Sequence, residues 1–331
     1  MRIMIVGGTG FLGFHALQVA LSRGYSVNTL AIDDVVLGDW YPSEVNVQFG
    51  DVFGLTEDDL QKRFEGHDCM VYAVGPDDRI TPPAPAYEFF RFRLVESVQK
   101  VANAARRAGV KKFVLLNSYF AYFDRIWPQK ELARHHPYIR CRVEQAERVI
   151  AAGKDSMAVM VLELPYIFGS MPNRIPLWKD VLLDRFAKGN TIYFPRGGTN
   201  MITAQHVGQA IIGALESGEH GKRYPVGDQN RTFNDMLEMM MDAIGEKKKI
   251  INIPRWLAIA AGAMIERQFK KQGLEGGLEA RHLMKHIMTD YLYFDATDTA
   301  EKLGYGRGAI EEAIIETMKA CYPEKFVFDN N

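Results

Sequence analysis

Cysteine is scarce in this 331-residue chain: Cys69, Cys141 and Cys321 are odd in number and far apart. Such spacing supports neither a disulfide framework nor a cysteine metal site. An excess of charge is missing too. Forty Lys and Arg oppose 41 Asp and Glu, so no broad field favours nucleic acid or an anionic membrane surface. The longest uncharged apolar stretch toward the end, 256–265, is too short to span a bilayer. A strand reading that starts at Ile3 leaves no room for a signal peptide. A cytoplasmic protein with no nucleic-acid and no membrane partner is the expectation. What is present, 47% apolar and 24% charged residues, is an ordinary globular composition, and the length allows a sizeable core.

The first thirteen residues carry the strongest signal. Ile3 to Val6 is a short apolar run suited to a buried parallel strand. Glycines follow at 7, 8, 10 and 13, and Phe14, Leu17 and Leu21 then recur at helical spacing. Strand, glycine turn and helix, in that order, make the context of a dinucleotide-binding loop. One glycine permits the tight turn, another admits the pyrophosphate, and the last lets helix and strand pack closely. The helix N-terminus offers free N–H groups and a positive dipole end to the phosphates. Gly7, Thr9, Gly10, Phe11, Leu12 and Gly13 are the candidate cofactor residues of this segment.

The spacing Gly7-x-x-Gly10-x-x-Gly13 resembles the short-chain dehydrogenase/reductase superfamily. The likeness is to its extended branch of sugar epimerases, dehydratases and 3β-hydroxysteroid or dihydroflavonol-type reductases. The resemblance implies an α/β fold: a Rossmann-type doubly wound parallel sheet over 1–160. A smaller C-terminal α/β substrate lobe would take 161–331, with some segments returning to the sheet. Further strands are read at 25–32, 45–50, 69–74, 112–116 and 159–164, and helices at 58–64, 89–108 and 176–188. In the family an acid at the end of the second strand holds the ribose of NAD, and an Arg there takes the extra phosphate of NADP. This chain has Ala31-Ile32-Asp33-Asp34. The missing cation leans toward NAD over NADP, with Asp33 as either the ribose partner or part of a solvated loop. Asp51 and Val52 resemble the pair that meets the adenine, and Ala73, Val74 and Gly75 would let the cofactor pass over a strand end. Pro165 and Ile167 lie in a segment resembling Arg-Pro-x-x-x-Tyr-Gly, whose backbone meets the nicotinamide carboxamide; Glu163 stands where the family has Arg.

The catalytic positions follow from the same resemblance. Ser118 follows the fifth strand, and Tyr138 with Arg142 occupies the family's Tyr-x-x-x-Lys pair. There the Tyr exchanges a proton with the substrate oxygen, and the cation one helical turn on lowers its pKa and binds the nicotinamide ribose. Arg keeps the charge and the donors but does not titrate near neutrality. The other reading is that Tyr138 is a core aromatic and Arg142 a surface charge. The Asn that usually braces this site from the helix at 89–108 is absent, with Arg93 and Leu94 in its region.

The expected activity is an NAD(P)-dependent oxidoreductase interconverting an alcohol and a ketone on a relatively apolar small molecule. Two alternatives stand beside it: a nucleotide-sugar epimerase or dehydratase with retained NAD, and a catalytically weak dinucleotide-sensing protein. Against the sugar nucleotide, Thr199 stands about where an Arg would grip the diphosphate, although Arg196 is near in sequence. Phe120, Tyr122, Trp127, Tyr166, Phe168 and Trp178 suggest an apolar pocket or simply core. Phe233, Met236, Leu237, Met240 and Met241 form a stripe read as core. His282 and His286 share a helical face with no third ligand in sequence view, so no metal is expected. The helix at 89–108 and 142–151 are the segments through which such proteins often form a homodimer.

Overall fold

The computed structural model describes residues 1–32, 35–154, 156–186 and 189–326. Its frame is an all-parallel sheet built from β1 (Arg2–Val6), β2 (Ser26–Ala31), β3 (Asn46–Phe49), β4 (Cys69–Tyr72), β5 (Lys112–Ser118) and β6 (Ala158–Leu164). Arg223–Pro225 adds a seventh strand beside β6. The order across the sheet is Arg223–Pro225, β6, β5, β4, β1, β2, β3. Chain direction along the sheet therefore reverses between β1 and β4, the switch point at which such sheets open a ligand crevice.

The central strands are buried on both faces, which explains why they read as continuous apolar runs. Alternate residues enter different cores. Ile3 and Ile5 pack with Phe14 and Leu17 of α1 (Phe11–Ser22) and with Val207 and Ile211 of the helix Ala204–Ser217. Met4 and Val6 face the other way, onto Leu60 and Phe64 of α2 (Glu57–Phe64) and onto Val98, Val101 and Ala105. Helices thus cover both faces.

The helix expected over 89–108 starts earlier, at Ala86, and is not uniform. Ala86–Phe90 and Ser97–Arg107 are α-helical, and Arg91–Glu96 between them is wound as a π-helix. The wider turn leaves Phe90, Leu94, Val95 and Val98 all buried. The helix expected over 176–188 is reduced to a π turn at Lys179–Leu183 and a 3₁₀ turn at Asp184–Phe186. Leu182 and Leu183, adjacent in the chain, both enter the core with Phe168, Ile192 and Phe194, which the wider π turn accommodates.

Beyond β6, Gly198–Thr203 is the centre of a small mixed sheet with Gln229–Thr232, Tyr291–Leu292 and Tyr166–Phe168. The methionine stripe is core, packed against Ile310, Ile314 and Met318 of the helix Ile310–Cys321.

Glu163, in β6, is fully buried, and both its carboxylate oxygens accept from Arg125, at 3.0 Å from Nη1 and 2.8 Å from Nη2. The charge that replaces the family's Arg is therefore answered by an Arg from the helix Tyr119–Ile126. Replacing Arg125→Met strands a buried carboxylate. Because the Arg125 side chain is 41% exposed, the expected loss is roughly 2–4 kcal/mol, below that of a fully enclosed pair. Urea unfolding measures it, and an Arg125→Met/Glu163→Leu double variant should recover much of the loss.

Candidate active site

The glycine loop is closed by backbone contacts. Gly7 has φ +91°, and a side chain at Gly13 would put its Cβ 2.1 Å from the Gly7 carbonyl oxygen. One at Gly7 would lie 2.9 Å from the Ala73 carbonyl oxygen. Only glycine lets β1, α1 and the end of β4 meet this closely. The Gly8 N–H donates to Thr29 Oγ1 at 2.9 Å, and that hydroxyl donates to the Ile5 carbonyl at 2.7 Å. α1 begins after Gly10 with no side-chain cap and no acid in its first turn. Its first N–H groups and dipole are left to an anion.

A residue that the sequence did not flag joins the loop. Arg174 Nη1 lies 3.9 Å from the point where a Cβ on Gly10 would be, so an exposed cation stands beside the helix N-terminus. Along the rest of the crevice, Asp51 Oδ1 accepts from the Phe53 N–H at 2.9 Å and Val52 is buried. Ala73 and Val74 are half-buried and Gly75 is exposed at the end of β4. At the end of β2, Ala31 is buried and Ile32 exposed; Asp33 lies outside the described residues. Pro165 is buried, and the Ile167 carbonyl already accepts from Trp178 Nε1 at 2.9 Å.

The structure brings Ser118, Tyr138 and Arg142 into one network. Pro137 starts the helix Pro137–Gly153, where its missing N–H costs nothing, and Tyr138 and Arg142 stand one turn apart. Arg142 Nε donates to the Tyr138 hydroxyl at 2.9 Å. Its Nη1 donates to Gln145 Oε1 at 2.9 Å and to the Leu116 carbonyl at 3.3 Å. Asn117 Nδ2 donates to the Arg142 carbonyl at 2.9 Å and to Gln145 Oε1 at 3.2 Å, and Asn117 Oδ1 accepts from the Ser118 N–H at 2.6 Å. Ser118 caps the following helix, its Oγ accepting from the Phe120 N–H. The brace lost at Arg93, which instead lies over the Phe89 ring, is thus rebuilt from β5 and from Gln145.

Tyr138 is only 3% exposed. Burial raises its pKa above the usual phenol value, and the opposing pull of Arg142 does not cancel this. Asp78 was also missed by the sequence. It sits in the loop after β4, within electrostatic range of Tyr119, Tyr138, Tyr166 and Arg142. Burial pushes its carboxyl pKa up. Its neighbour Asp77 is held below the usual range: burial pushes it up, but the charge-assisted hydrogen bond from Arg79 at 2.8 Å outweighs that. In sequence this segment is marked only by the prolines at 82, 83 and 85.

Thr199 is fully buried and bonded to the Tyr119 hydroxyl at 2.9 Å. Arg196 opens instead onto a different cleft, with Asn252, Arg255 and Tyr291. Phe120 and Phe168 lie in the core.

A glycine-closed loop under a helix N-terminus at the switch point defines a nicotinamide-dinucleotide-binding α/β protein. Residues 7–161 match the NAD(P)H-binding family. The chain is 25% identical over 280 residues to the mouse (Mus musculus) sterol-4-alpha-carboxylate 3-dehydrogenase, decarboxylating, covering 78% of this chain and 72% of that one. It is 21% identical to the 4-hydroxy-2-methyl-3-oxo-4-farnesyl-3,4-dihydroquinoline-1-oxide ketoreductase of Stigmatella aurantiaca, over 98% of this chain and 97% of that one. Among solved structures, gox2253 superposes with a TM-score of 0.78 at 19% identity, over 98% of both chains. UDP-glucuronic acid 4-epimerase from Bacillus cereus, in complex with UDP-glucuronic acid and NAD, gives 0.69 at 14% identity, over 98% of this chain and 100% of that one. Residues 7–161 thus carry an NAD(P)H-binding domain, and these likenesses together support the resemblance to the extended branch of the short-chain dehydrogenase/reductase superfamily. Among the described residues, no helix is long and apolar enough to cross a membrane.

Gly13→Ala tests the loop directly. The added methyl must push α1 off β1, and NAD affinity, read by fluorescence titration, should fall by about tenfold or more. Unchanged affinity would mean that the loop does not hold the dinucleotide.

Proposed function

We propose that the protein is a nicotinamide-dependent oxidoreductase interconverting an alcohol and a ketone on a small, largely apolar molecule. The observation that carries this reading is the 2.9 Å hydrogen bond from Arg142 Nε to the Tyr138 hydroxyl, joined through Gln145 and Asn117 to Ser118. In this assignment Tyr138 is the general acid/base, Ser118 holds the substrate oxygen, and Arg142 orients the phenol. Arg142 Nη2 donates to no described residue and is assigned to the nicotinamide ribose. The dinucleotide, when bound, supplies or accepts the hydride. The α1 N-terminus and Arg174 hold its pyrophosphate, and Asp51 and Val52 its adenine. NAD is the preferred form, since Ala31 and Ile32 offer no cation to a 2′-phosphate.

Three features favour a largely apolar substrate over a sugar nucleotide. Thr199 replaces a diphosphate-gripping Arg and is buried, Arg196 opens elsewhere, and Asp78 adds an acid near Tyr138. The names of the two relatives describe a sterol acid and a farnesylated quinoline, which agrees with that class.

The raised Tyr138 pKa fixes the direction of pH dependence. A phenol whose pKa is raised stays protonated through neutrality and is poised to give its proton to a ketone. Alcohol oxidation needs the phenolate. Oxidation kcat/KM should therefore climb with pH, by about tenfold per unit, without a plateau below the ordinary phenol range, whereas reduction stays flat across neutrality. An acidic plateau for oxidation would overturn the assignment of Tyr138.

Tyr138→Phe should lower ketone reduction by about 10²-fold or more while leaving NAD affinity in place; full activity across a panel of apolar ketones would sink the reading. Thermal stabilisation by uridine diphosphate sugars with no turnover of apolar ketones would favour the epimerase reading instead. Arg142→Lys separates a working Arg from a weakened centre: the proposal expects a loss of rate, and a large gain would mark the native site as a dinucleotide sensor.

A further inference from the structure

Half of the eight histidines of the chain, His135, His136, His282 and His286, gather at one place. The sequence offered only the i, i+4 pair on the helix Ala280–His286. Folding brings in His135, the last residue of the helix Leu132–His135, some 150 positions earlier. One ligand nitrogen from each of His135, His282 and His286 lies within 4.8 Å of the other two. We propose that these three imidazoles form a binding site for a divalent transition metal of the zinc class.

The chemistry of the donors carries the proposal. The three rings lie nearly parallel, with centroids 3.7 Å apart for His135 and His282, 5.8 Å for His282 and His286, and 6.1 Å for His135 and His286. No hydrogen bond links them, and His286 Nδ1 is buried with no protein partner. A buried imidazole nitrogen without a partner, as at His286, is costly unless something satisfies it. A cation does so. Bonds of about 2.0–2.1 Å in a tetrahedron need nitrogens roughly 3.3 Å apart, which a turn of the rings about their side-chain torsions supplies.

The surroundings are built as a support. Glu279 Oε2 lies 2.5 Å from His282 Nδ1 and accepts the His282 N–H at 2.8 Å. This is the carboxylate–histidine arrangement that fixes a ring and directs its Nε2 to a metal. The Glu279 N–H donates to His136 Nδ1 at 3.0 Å, tying the two ligand-bearing segments together. Lys130 lies nearby, but its charge is met by Asp290 at 2.7 Å; Lys285 is exposed. All three cysteines are buried and do not compete. Three neutral nitrogen ligands suit zinc, copper or nickel rather than magnesium or calcium. They leave a fourth position for water, so the site is open in coordination.

Its location gives the metal a consequence. His135 stands three residues before Tyr138, and the Tyr138 N–H donates to the Gly277 carbonyl at 2.9 Å. A cation bridging His135 to the helix Ala280–His286 would clamp the start of the Tyr138 helix to the 277–286 segment.

The test uses the full-length protein, stripped with a chelator and titrated with Zn2+ by calorimetry, with Co2+ as a visible-absorption probe. The expected result is one ion per chain at micromolar or tighter affinity, with a rise in melting temperature. His135→Ala and His286→Ala should each abolish the Co2+ bands, and Glu279→Gln should weaken Zn2+ by about 10–100-fold. Far-UV circular dichroism and NAD titration check that each variant is folded. Absence of 1:1 binding in the wild type overturns the proposal, as does binding undiminished in both folded histidine variants. Neither outcome bears on the Tyr138 assignment, which rests on ketone turnover.

Discussion

The carbonyl oxygen of Gly7 occupies the place where the first carbon of any side chain at position 13 would have to go. That backbone contact sets the angle at which α1 leaves β1. It aims the helix N-terminus across the carboxyl ends of the strands rather than along them. The same contact presses Gly7 against Ala73 at the end of β4, so the crevice opens where the sheet reverses direction. The residues proposed to hold the cofactor, from Arg174 to Asp51, lie along a crevice whose uncapped helix N-terminus is set in place where two peptide units touch.

The proposed chemistry depends on a contest between burial and charge. Removing Tyr138 from water favours the neutral phenol, and Arg142 at 2.9 Å favours the phenolate; burial prevails in the free protein. Lys would meet the phenol as a mobile point charge. Arg presents a planar fork that needs several acceptors at fixed angles. Here the Tyr138 hydroxyl, Gln145 Oε1 and the Leu116 carbonyl supply them, and Asn117 holds Gln145 in turn. The exchange of Lys for Arg is therefore not isolated. It comes with a buried glutamine whose own Nε2 lacks a partner, a cost that makes sense if Gln145 is kept for what its oxygen does to Arg142.

What the sequence made legible was whatever depends on neighbours in the chain. The continuous apolar run of Ile3 to Val6, the glycine loop and the one-turn spacing of Tyr138 and Arg142 are local patterns with local causes, and the first two already point to a buried parallel strand. Asp78, Asn117, Gln145, Arg174 and His135 were not legible in their roles, because each acquires its meaning from a partner that only folding brings near. The π turn at Arg91–Glu96 was hidden for another reason: its apolar residues, read at 3.6 per turn, pass for an ordinary helix. Glu163 sits between these cases. Its departure from the family's Arg was visible, but its answer, Arg125, lies on a helix that the strand pattern gave no cause to connect with it.

The placement of Tyr138 is decided by chain about 140 residues away. Gly277 lies so close to the Tyr138 helix that a Cβ there would stand 2.6 Å from the Phe90 ring and 3.2 Å from Tyr138 Cβ. Its carbonyl takes the Tyr138 N–H, one of the orphan donors of the helix's first turn, which no side chain caps. The Glu279 N–H is held by His136. Phe90, which Gly277 also touches, meets the Tyr138 ring edge-on at 5.5 Å. The phenol is thus fixed by a glycine contact, a backbone hydrogen bond and an aromatic edge, none of which belongs to the motif that names it. The position of the Tyr138 hydroxyl and the packing of 277–286 are therefore one property of this fold rather than two, and under the proposed assignment the geometry of proton transfer depends on both.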